Sequence, residues 1–286
     1  MNSIQQVNCN ICGVDNTSLI AVQNGYRMVK CKNCGLVYLK SRPDQQTLIK
    51  LYADYHQREG KDEDVWARLM EKNFKEVSLL LNKIFPEKGK ILDVGCGYGH
   101  FIEIMQGCGW FAQGVDPSSG TLYYAKKKGL NVIETSVDDS SFPYNFFDVV
   151  TAFYVLEHLP DPLSTAKKIF KMLKPGGVIV IRVPHTTPIV RFLSVFTIDN
   201  NLYDAPYHLY DFSPMTITVL LKKAGFSFIQ VMPGSPTLPP KRFERVISLI
   251  SGYFSQVLFV MSRGKFLLPG TSKTIIAVKQ IENKVS

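Results

Sequence analysis

The sequence lacks the features that mark membrane-spanning, secreted and repetitive proteins. No run approaches the ~18 uninterrupted apolar residues that a spanning helix requires. The first ten residues, MNSIQQVNCN, are polar and contain no apolar core of a secretory signal. No segment repeats along the 286 residues, of which 45% are hydrophobic and 20% charged. This composition is that of a globular protein with a sizeable core, and we expect it to be cytoplasmic.

Acidic residues are scarce at both ends of the chain. Residues 1–42 contain five Lys and Arg against one Asp, and residues 222–286 contain ten against two Glu. The middle of the chain has a slight acidic excess, although the whole chain has a net charge of +9. Basic ends favour anionic partners, such as nucleic acid, a membrane surface or a phosphorylated substrate, unless they form only a solvated surface.

Four of the six cysteines form two C-x-x-C pairs near the N-terminus. Cys9 and Cys12 make the first pair and Cys31 and Cys34 the second, with 18 residues between the pairs. Four thiolates at this spacing predict a tetrahedral zinc site rather than disulfides or a redox pair. Because four cysteine ligands leave no position open for water or substrate, the zinc would be structural. We therefore predict a zinc ribbon over residues 1–42.

After the ribbon, short apolar runs alternate with helical patterns. We predict a helical linker or cap over residues 43–85, because its second half has apolar residues at helical spacing. Strands are then predicted at 90–95, 110–116, 131–135, 147–155 and 176–184, and two last strands at 226–232 and 273–281. Alternation of strands and helices predicts a parallel sheet that is covered on both faces.

The loop after the first of these strands is rich in glycine. It reads Asp93-Val-Gly95-Cys-Gly97-Tyr-Gly99, and Asp116 closes the next strand. Alternate glycines let the backbone approach a ligand closely at the start of a helix, and a carboxylate at the end of the second strand can hold both ribose hydroxyls. The third glycine falls one residue too early for the dinucleotide pattern G-x-G-x-x-G, so a smaller nucleoside ligand is favoured.

These segments resemble the motifs of class I S-adenosylmethionine-dependent methyltransferases. ILDVGCGYGHF followed by GVDPS is similar to the nucleoside-binding motifs of that family, and FPYNFFDVVTAFYVLEHLPDP and MLKPGGVIVIRVP resemble its fourth- and fifth-strand motifs. The resemblance spans residues 86–235 and resumes at the last strand. It implies an α/β, Rossmann-like sheet of seven mostly parallel strands with the last one reversed. The methyltransferase domain would occupy residues 86–286, with an amphipathic helical insertion at 236–266 before the last strand.

The resemblance also implies which residues bind S-adenosylmethionine. The glycine loop would line the methionine part of the cofactor, and the acidic residue at the end of the second strand would hold its ribose. The adenine contact would fall just after the third strand, and the end of the fourth strand would pass beside the methionine tail. The expected cofactor-binding residues are Asp93, Gly95, Gly97, Gly99, Asp116, Ser136, Val137, Asp138 and Tyr154.

The ribbon pattern narrows the resemblance to bacterial methyltransferases of sugars and polysaccharide precursors. Related carbon-methylating enzymes carry a Y-H-E-H-like segment, and here His208 matches its histidine while Tyr207 stands at the glutamate position. Oxygen methylation of a nucleotide- or lipid-linked sugar or glycan precursor is therefore favoured. A hydroxyl acceptor benefits from a general base, and histidine suits this role near neutral pH. We predict His208 as the base, with His158 second, and expect His185 to lie in a surface loop.

Two other functions stay open at this point. An RNA methyltransferase could use the basic ribbon to grip phosphates, although the acidic middle of the chain argues against a nucleic-acid partner. A non-catalytic scaffold could keep the cofactor fold without the chemistry. Residues 241–262 have apolar positions at helical spacing with basic residues at either end. Such a helix could rest on an anionic membrane, form a lid or a dimer interface, or pack on its own domain.

Overall fold

The computed structural model shows a small N-terminal ribbon attached to a large central sheet. It describes residues 4–53, 63–234 and 272–281, together with 250, 253–254, 257–259 and 261–262. The predicted insertion at 236–266 therefore lies almost entirely outside the described residues, and so does the 54–62 part of the predicted linker. Among the helices that are described, none is long and apolar enough to cross a membrane.

The ribbon is built from short antiparallel strands. β1 (Ile4–Gln6) pairs with β5 (Ser41–Pro43), and a four-stranded sheet has the order β2 (Thr17–Gln23), β3 (Tyr26–Cys31), β4 (Val37–Leu39) and β11 (Tyr210–Asp211). The last of these strands comes from a distant part of the chain and runs antiparallel to β4. The ribbon and the large domain are thus joined through one sheet. Helix α1 (Gln45–Ala53) follows β5.

The central sheet has seven strands, as the resemblance implies. From one edge to the other these are β8 (Val132–Glu134), β7 (Phe111–Asp116), β6 (Lys90–Val94), β9 (Phe147–Phe153), β10 (Leu173–Val183), β13 (Lys273–Val278) and β12 (Ser227–Pro233). Neighbours from β8 to β10 are parallel, and β13 is antiparallel to both β10 and β12. The predicted strands and the reversed last strand are confirmed.

Helices cover both faces of this sheet. One face carries α2 (Glu63–Ile84), α3 (His100–Gly107) and α4 (Ser119–Lys127), the other carries α5 (Pro162–Met172) and α7 (Pro214–Ala224), and α6 (Thr187–Val195) follows β10. Local sequence sets their ends. Asp161 caps α5 by accepting a hydrogen bond from the Ser164 N–H, and Ser213 and Thr216 form a capping box on α7. Gly225 ends α7 in the left-handed conformation that glycine adopts without strain.

The hydrophobic core is continuous between the ribbon and the central sheet. One cluster of buried side chains joins Met28, Leu36 and Leu39 of the ribbon to residues of β9, β10 and α7. A second cluster packs α2, α3 and α4 against the opposite face of the sheet. The ribbon therefore buries its apolar side chains against the large domain rather than in a core of its own.

Candidate functional site

The glycine loop connects the carboxyl end of β6 to the start of α3. Gly95, Gly97 and Gly99 have φ angles of 69°, 50° and 78°, a region that other L residues enter only with strain. A Cβ atom at Gly95 would lie 2.4 Å from Val155 Cγ2, and one at Gly99 would lie 2.5 Å from Leu130 Cδ1. At Gly97, a Cβ would meet no atom of the described residues within 4 Å. The loop is packed tightly at two glycines and borders open space at the middle one.

Two buried carboxylates lie beside this loop. Asp93 Oδ1 accepts a hydrogen bond of 2.6 Å from Thr151 Oγ1. Asp116 accepts hydrogen bonds from the backbone N–H groups of Gly97, at 2.9 Å, and Ser118, at 2.8 Å. Burial raises the pKa of Asp93 to about 7 and also raises the pKa of Asp116. S-adenosylmethionine carries a positively charged amino group and ribose hydroxyls, each of which a carboxylate can bind, so two carboxylates next to an open glycine loop fit this cofactor.

The residues expected to contact adenine follow β8. Val137 is buried, whereas the Ser136 hydroxyl donates a hydrogen bond of 2.6 Å to Asp139. Both carboxylate oxygens of Asp138 accept from Thr165 Oγ1 of α5, at 2.8 and 2.9 Å. The Asp138 side chain is thus held by α5, and the adenine contact of this segment stays a prediction.

Tyr154 follows β9 and has a positive φ of 58°. Its hydroxyl lies 2.6 Å from Ser272 Oγ and accepts a hydrogen bond of 2.9 Å from Arg182 Nε, so the side chain turns toward β10 and β13. The next residue, Val155, packs against Gly95 and brings this end of β9 beside the glycine loop. The expected contact of Tyr154 with the methionine tail stays a prediction.

Three polar side chains converge just beyond this point, and we call them the polar cluster. Glu157 and His158 lie in a short 3-10 turn, and His208 lies in the loop before β11. One carboxylate oxygen of Glu157 and one ring nitrogen of each histidine lie within 4.8 Å of one another. The two half-buried imidazole rings meet edge to face, with centroids 4.7 Å apart. The structure therefore brings together the two histidines that the sequence predicts as bases.

Glu157 is the member of the cluster to which the sequence assigns no chemical role, only a place in the segment from Tyr154 to Glu157 that is expected beside the methionine tail. Its side chain is fully buried, and among the described residues neither carboxylate oxygen accepts a hydrogen bond. Burial raises the pKa of Glu157 to about 8, while the nearby backbone N–H of Glu157 itself and, more weakly, Lys273 oppose that shift. The Y-H-E-H resemblance leaves position 207 without its glutamate, whereas the fold brings a carboxylate to the cluster from another loop. A further sequence signal is its place directly before His158.

Further buried charges lie next to the polar cluster. Lys273, the first residue of β13, is fully buried, which lowers its pKa to about 8, and it donates a hydrogen bond of 2.6 Å to the Pro184 carbonyl oxygen. Asp211 of β11 accepts from two backbone N–H groups at the start of α6. His185 is only 8% exposed, and burial lowers its pKa to about 4. The expectation of a surface His185 is wrong, because β11 and β13 cover the loop after β10.

The segment that links the ribbon to the large domain reaches the same cluster. The Tyr52 hydroxyl of α1 lies 2.7 Å from the Tyr207 carbonyl oxygen and 2.9 Å from that of His158. His158 Nδ1 lies 2.9 Å from the same Tyr207 oxygen, which only accepts, so this nitrogen carries the proton. Arg42 of β5 donates a hydrogen bond of 2.9 Å to the Pro160 carbonyl oxygen. Both loops that form the polar cluster are therefore held by residues from the N-terminal region.

The four ribbon cysteines form the second candidate binding site. The Sγ atoms of Cys9, Cys12, Cys31 and Cys34 lie within 4.8 Å of one another. The shortest separations are 3.3 Å for Cys9–Cys34 and 3.5 Å for Cys12–Cys31. These separations are too long for a disulfide of about 2.05 Å. They are close to the ~3.8 Å edge of a tetrahedron of thiolates about 2.3 Å from zinc. The four donors thus fit the predicted structural zinc.

Comparison with known proteins assigns this architecture to a family. A family model described as a methyltransferase domain matches residues 65–231. A ubiquinone biosynthesis O-methyltransferase from Saccharophagus degradans is 31% identical over 156 residues, which cover 51% of this chain and 66% of that protein. A ubiquinone biosynthesis O-methyltransferase from Haemophilus ducreyi is 35% identical over 119 residues, which cover 38% of this chain and 50% of that protein. The chain thus spans about half to two thirds of the length of these curated relatives.

A solved structure shares the fold. Phosphoethanolamine N-methyltransferase 2 of Haemonchus contortus, in complex with S-adenosyl-L-methionine, aligns with a TM-score of 0.53 and 19% identity. The alignment covers 85% of this chain and 63% of that chain. None of these three proteins is named for a sugar acceptor, so the sugar acceptor stays a prediction. The family model, the seven-stranded sheet and the glycine loop agree with one another, and the chain belongs to the S-adenosylmethionine-dependent methyltransferases.

Proposed function

We propose that this protein transfers the methyl group of S-adenosylmethionine to a hydroxyl oxygen that is held at the polar cluster. The observation that carries the proposal is the convergence of Glu157, His158 and His208 just beyond the end of β9, which itself packs against the glycine loop. The cofactor supplies a methyl group that is already activated, so the protein has mainly to align the acceptor oxygen with it. The names of the curated relatives favour oxygen as the acceptor atom.

The residues divide into two sets of roles. On the cofactor side, the glycine loop and Asp93 hold the methionine part, and Asp116 holds the ribose. On the acceptor side, His208 takes the proton of the hydroxyl, a role that is worth about 10²–10⁴-fold in rate. His158, fixed through its Nδ1 proton to the Tyr207 carbonyl, holds the His208 ring by edge-to-face contact.

The acceptor carries a large apolar group in this proposal. Helix α6 starts at the carboxyl end of β10, which is the same sheet edge as the polar cluster, because β9 and β10 are parallel. Phe192, Val195, Phe196 and Ile198, on α6 and just after it, are each half or more exposed. Apolar side chains grouped on a surface in this way mark a contact site. A lipid-linked sugar or glycan precursor would supply the matching apolar chain and would bring the protein to a membrane surface.

The relatives favour a second acceptor of related chemistry. They are named for ubiquinone biosynthesis, so a phenol that bears a prenyl chain is the alternative to the lipid-linked sugar. To decide, the zinc-loaded protein is incubated with methyl-labelled cofactor and, separately, with a lipid-linked sugar, a prenylated phenol, a nucleotide sugar and RNA. We expect a labelled methyl ether on one of the two lipid-linked acceptors. Labelled RNA, or cofactor binding without transfer to any acceptor, would contradict the proposal.

The base assignment has its own test. We expect His208→Ala to lower kcat by about 10²–10⁴-fold, because the hydroxyl loses the base that takes its proton. Calorimetry should show unchanged affinity for the cofactor, and a thermal melt should show that the variant is folded. Turnover equal to that of the wild-type protein would show that His208 is not the base.

A further inference from the structure

Glu157 is a buried carboxylate that the reaction described above does not use. Its side chain has no exposed surface, and within the described part of the chain neither of its oxygens accepts a hydrogen bond. Burying such a group without hydrogen bonds from neighbouring side chains destabilises the folded state. The groups within 4.8 Å of the carboxylate include the two imidazole rings of His158 and His208. A compensating positive charge on one of these rings would explain why a carboxylate lies there.

The charged groups around Glu157 come from several elements. Lys273 of β13 attracts the carboxylate, and Asp211 of β11 repels it. The Lys273 ammonium donates to the Pro184 carbonyl oxygen and makes no hydrogen bond to Glu157, so it leaves the carboxylate without a direct partner. Among the described residues, the titratable and charged groups on the surrounding elements are His158, His208, Lys273, Asp211, His185, Tyr52, Arg42, Tyr210 and Asp204.

We propose that Glu157 is a positioning residue of the transfer step, which stabilises the positive charge that His208 gains when it takes the acceptor proton. This inference rests on the proposed function. In the step, the acceptor oxygen bonds to the methyl carbon, the carbon–sulfur bond breaks with its electron pair left on sulfur, and the hydroxyl proton moves to a ring nitrogen of His208. Glu157 and His208 titrate as a pair in this proposal: positive charge on the ring lowers the pKa of the carboxyl within 4.8 Å of it, and the ionised carboxyl in turn favours the protonated ring, more strongly in a buried site than in water.

His208 is the better partner for this role than His158. The Nδ1–H group of His158 already donates a hydrogen bond to the Tyr207 carbonyl oxygen. The His158 ring also packs edge to face on Tyr52, with centroids 5.5 Å apart. The His158 ring is therefore held by the Tyr207 carbonyl group and by Tyr52 of helix α1. It positions the His208 ring by edge-to-face contact, with ring centroids 4.7 Å apart.

The first test requires no acceptor. Glu157→Gln keeps the shape of the side chain and removes its charge. We expect the pH midpoint at which the His208 ring C–H resonance titrates to fall by about one pH unit, which is a tenfold weaker preference for the protonated ring. Glu134→Gln, which removes an exposed carboxylate that pairs with Lys126, is the matched control and should leave the midpoint unchanged. An unchanged midpoint in Glu157→Gln would overturn the inference, whatever the acceptor proves to be.

A second variant guards against misfolding. Glu157→Asp keeps the charge and withdraws it by one methylene group, so the His208 midpoint should lie between those of the wild-type protein and Glu157→Gln. A folded Glu157→Asp protein with the same midpoint as Glu157→Gln would mean that the carboxylate charge does not act on the ring. That result would also overturn the inference.

Kinetics supply the remaining test once an acceptor is known. We expect Glu157→Gln to lower kcat by about 10–100-fold and to move the acid limb of its pH profile to lower pH, with the KM for the cofactor unchanged. The double variant with Glu157→Gln and His208→Ala should have the same kcat as His208→Ala alone, because both residues act on the transfer of one proton. A fully additive loss would indicate a structural role instead. Inactivation by a chelator that leaves the ribbon zinc bound would assign the carboxylate to a cation, and would likewise overturn the inference.

Discussion

The proposed cofactor side and the proposed acceptor side of this site are built in different ways. The cofactor side uses the carboxyl ends of β6, β7 and β8, which follow one another along the chain. The acceptor side joins the turn after β9, the loop before β11, the first residue of β13 and the ribbon linker. The first is specified by local sequence, whereas the second exists only when distant segments have packed. Damage to the ribbon should therefore affect the acceptor side much more than the cofactor side.

Removing the predicted ribbon zinc is the most severe test of this difference. Cys31→Ser removes one of the four thiolates, and structural zinc in small sites supplies an apparent folding free energy of about 10–16 kcal/mol. Displaced acceptor loops should lower methyl transfer by about 100-fold or more. We expect cofactor affinity, measured by calorimetry, to fall by much less than that. Cys108→Ser, a free thiol outside the cluster, is the control, and metal content is measured by mass spectrometry. Equal fold-losses in methyl transfer and in cofactor affinity would contradict the difference between the two sides.

A substitution within the glycine loop itself should weaken cofactor binding. In Gly95→Ala, the positive φ costs about 1–2 kcal/mol, and the overlap with Val155 adds about 1–3 kcal/mol. The new methyl group also pushes the loop away from the cofactor, so binding should weaken. Gly129→Ala has a nearly equal φ of 73° and no neighbouring atom within 4 Å among the described residues. Urea denaturation should show the larger loss for Gly95→Ala, and equal losses would refute the packing argument.

A smaller change should affect the acceptor side alone. Tyr52→Phe removes the hydroxyl that bonds to the carbonyl oxygens of His158 and Tyr207. The lost hydrogen bonds, worth about 1–1.5 kcal/mol, should lower kcat by about tenfold through misplaced histidines. Tyr144→Phe, on a residue that is 69% exposed, is the control. Cofactor affinity that falls together with kcat would show that the two sides are not separate.

The last prediction is a gradual pH dependence of stability on the cofactor side. The carboxyl of Asp93 has a pKa of about 7 in the folded protein, against about 3.9 in an unfolded chain. Between these values the folded state holds a proton that the unfolded state has released. The free energy of unfolding should therefore fall as pH rises from about 4 to 7, by at most about 1.4 kcal/mol per pH unit. Asp93→Asn should reduce this slope in urea titrations by the share that Asp93 contributes, with Asp116 and Glu157 supplying the remainder, whereas Asp199→Asn, at an exposed position, should keep the full slope.

Much of the fold could be predicted because its signals are local. The seven central strands are short apolar runs, and the ribbon cysteines and the glycine loop are fixed spacings. No local sequence pattern of this kind predicts helix α6 or strand β11. The two-residue β11 exists because β4 offers it an edge, and its Asp211 then caps the start of α6 from outside the helix.

The candidate site shows the same limit. His158 and His208 could be selected because histidine chemistry and the strand ends point to them. Glu157 could not, because its role depends on full burial beside a loop that lies about fifty residues further along the chain. The predicted surface position of His185 is wrong for the same reason, since nothing in its own segment indicates that β11 and β13 cover it.

Strand β11 also constrains how this chain can be recombined with its relatives. The edge of the ribbon sheet is completed by Tyr210 and Asp211, and the backbone N–H of Leu39 donates to the carbonyl oxygen of Leu209 at 2.9 Å. A chimera that exchanged only the first 42 residues would leave this edge facing a foreign segment. The ribbon and the loop that carries His208 therefore have to be inherited, or transplanted, as a pair.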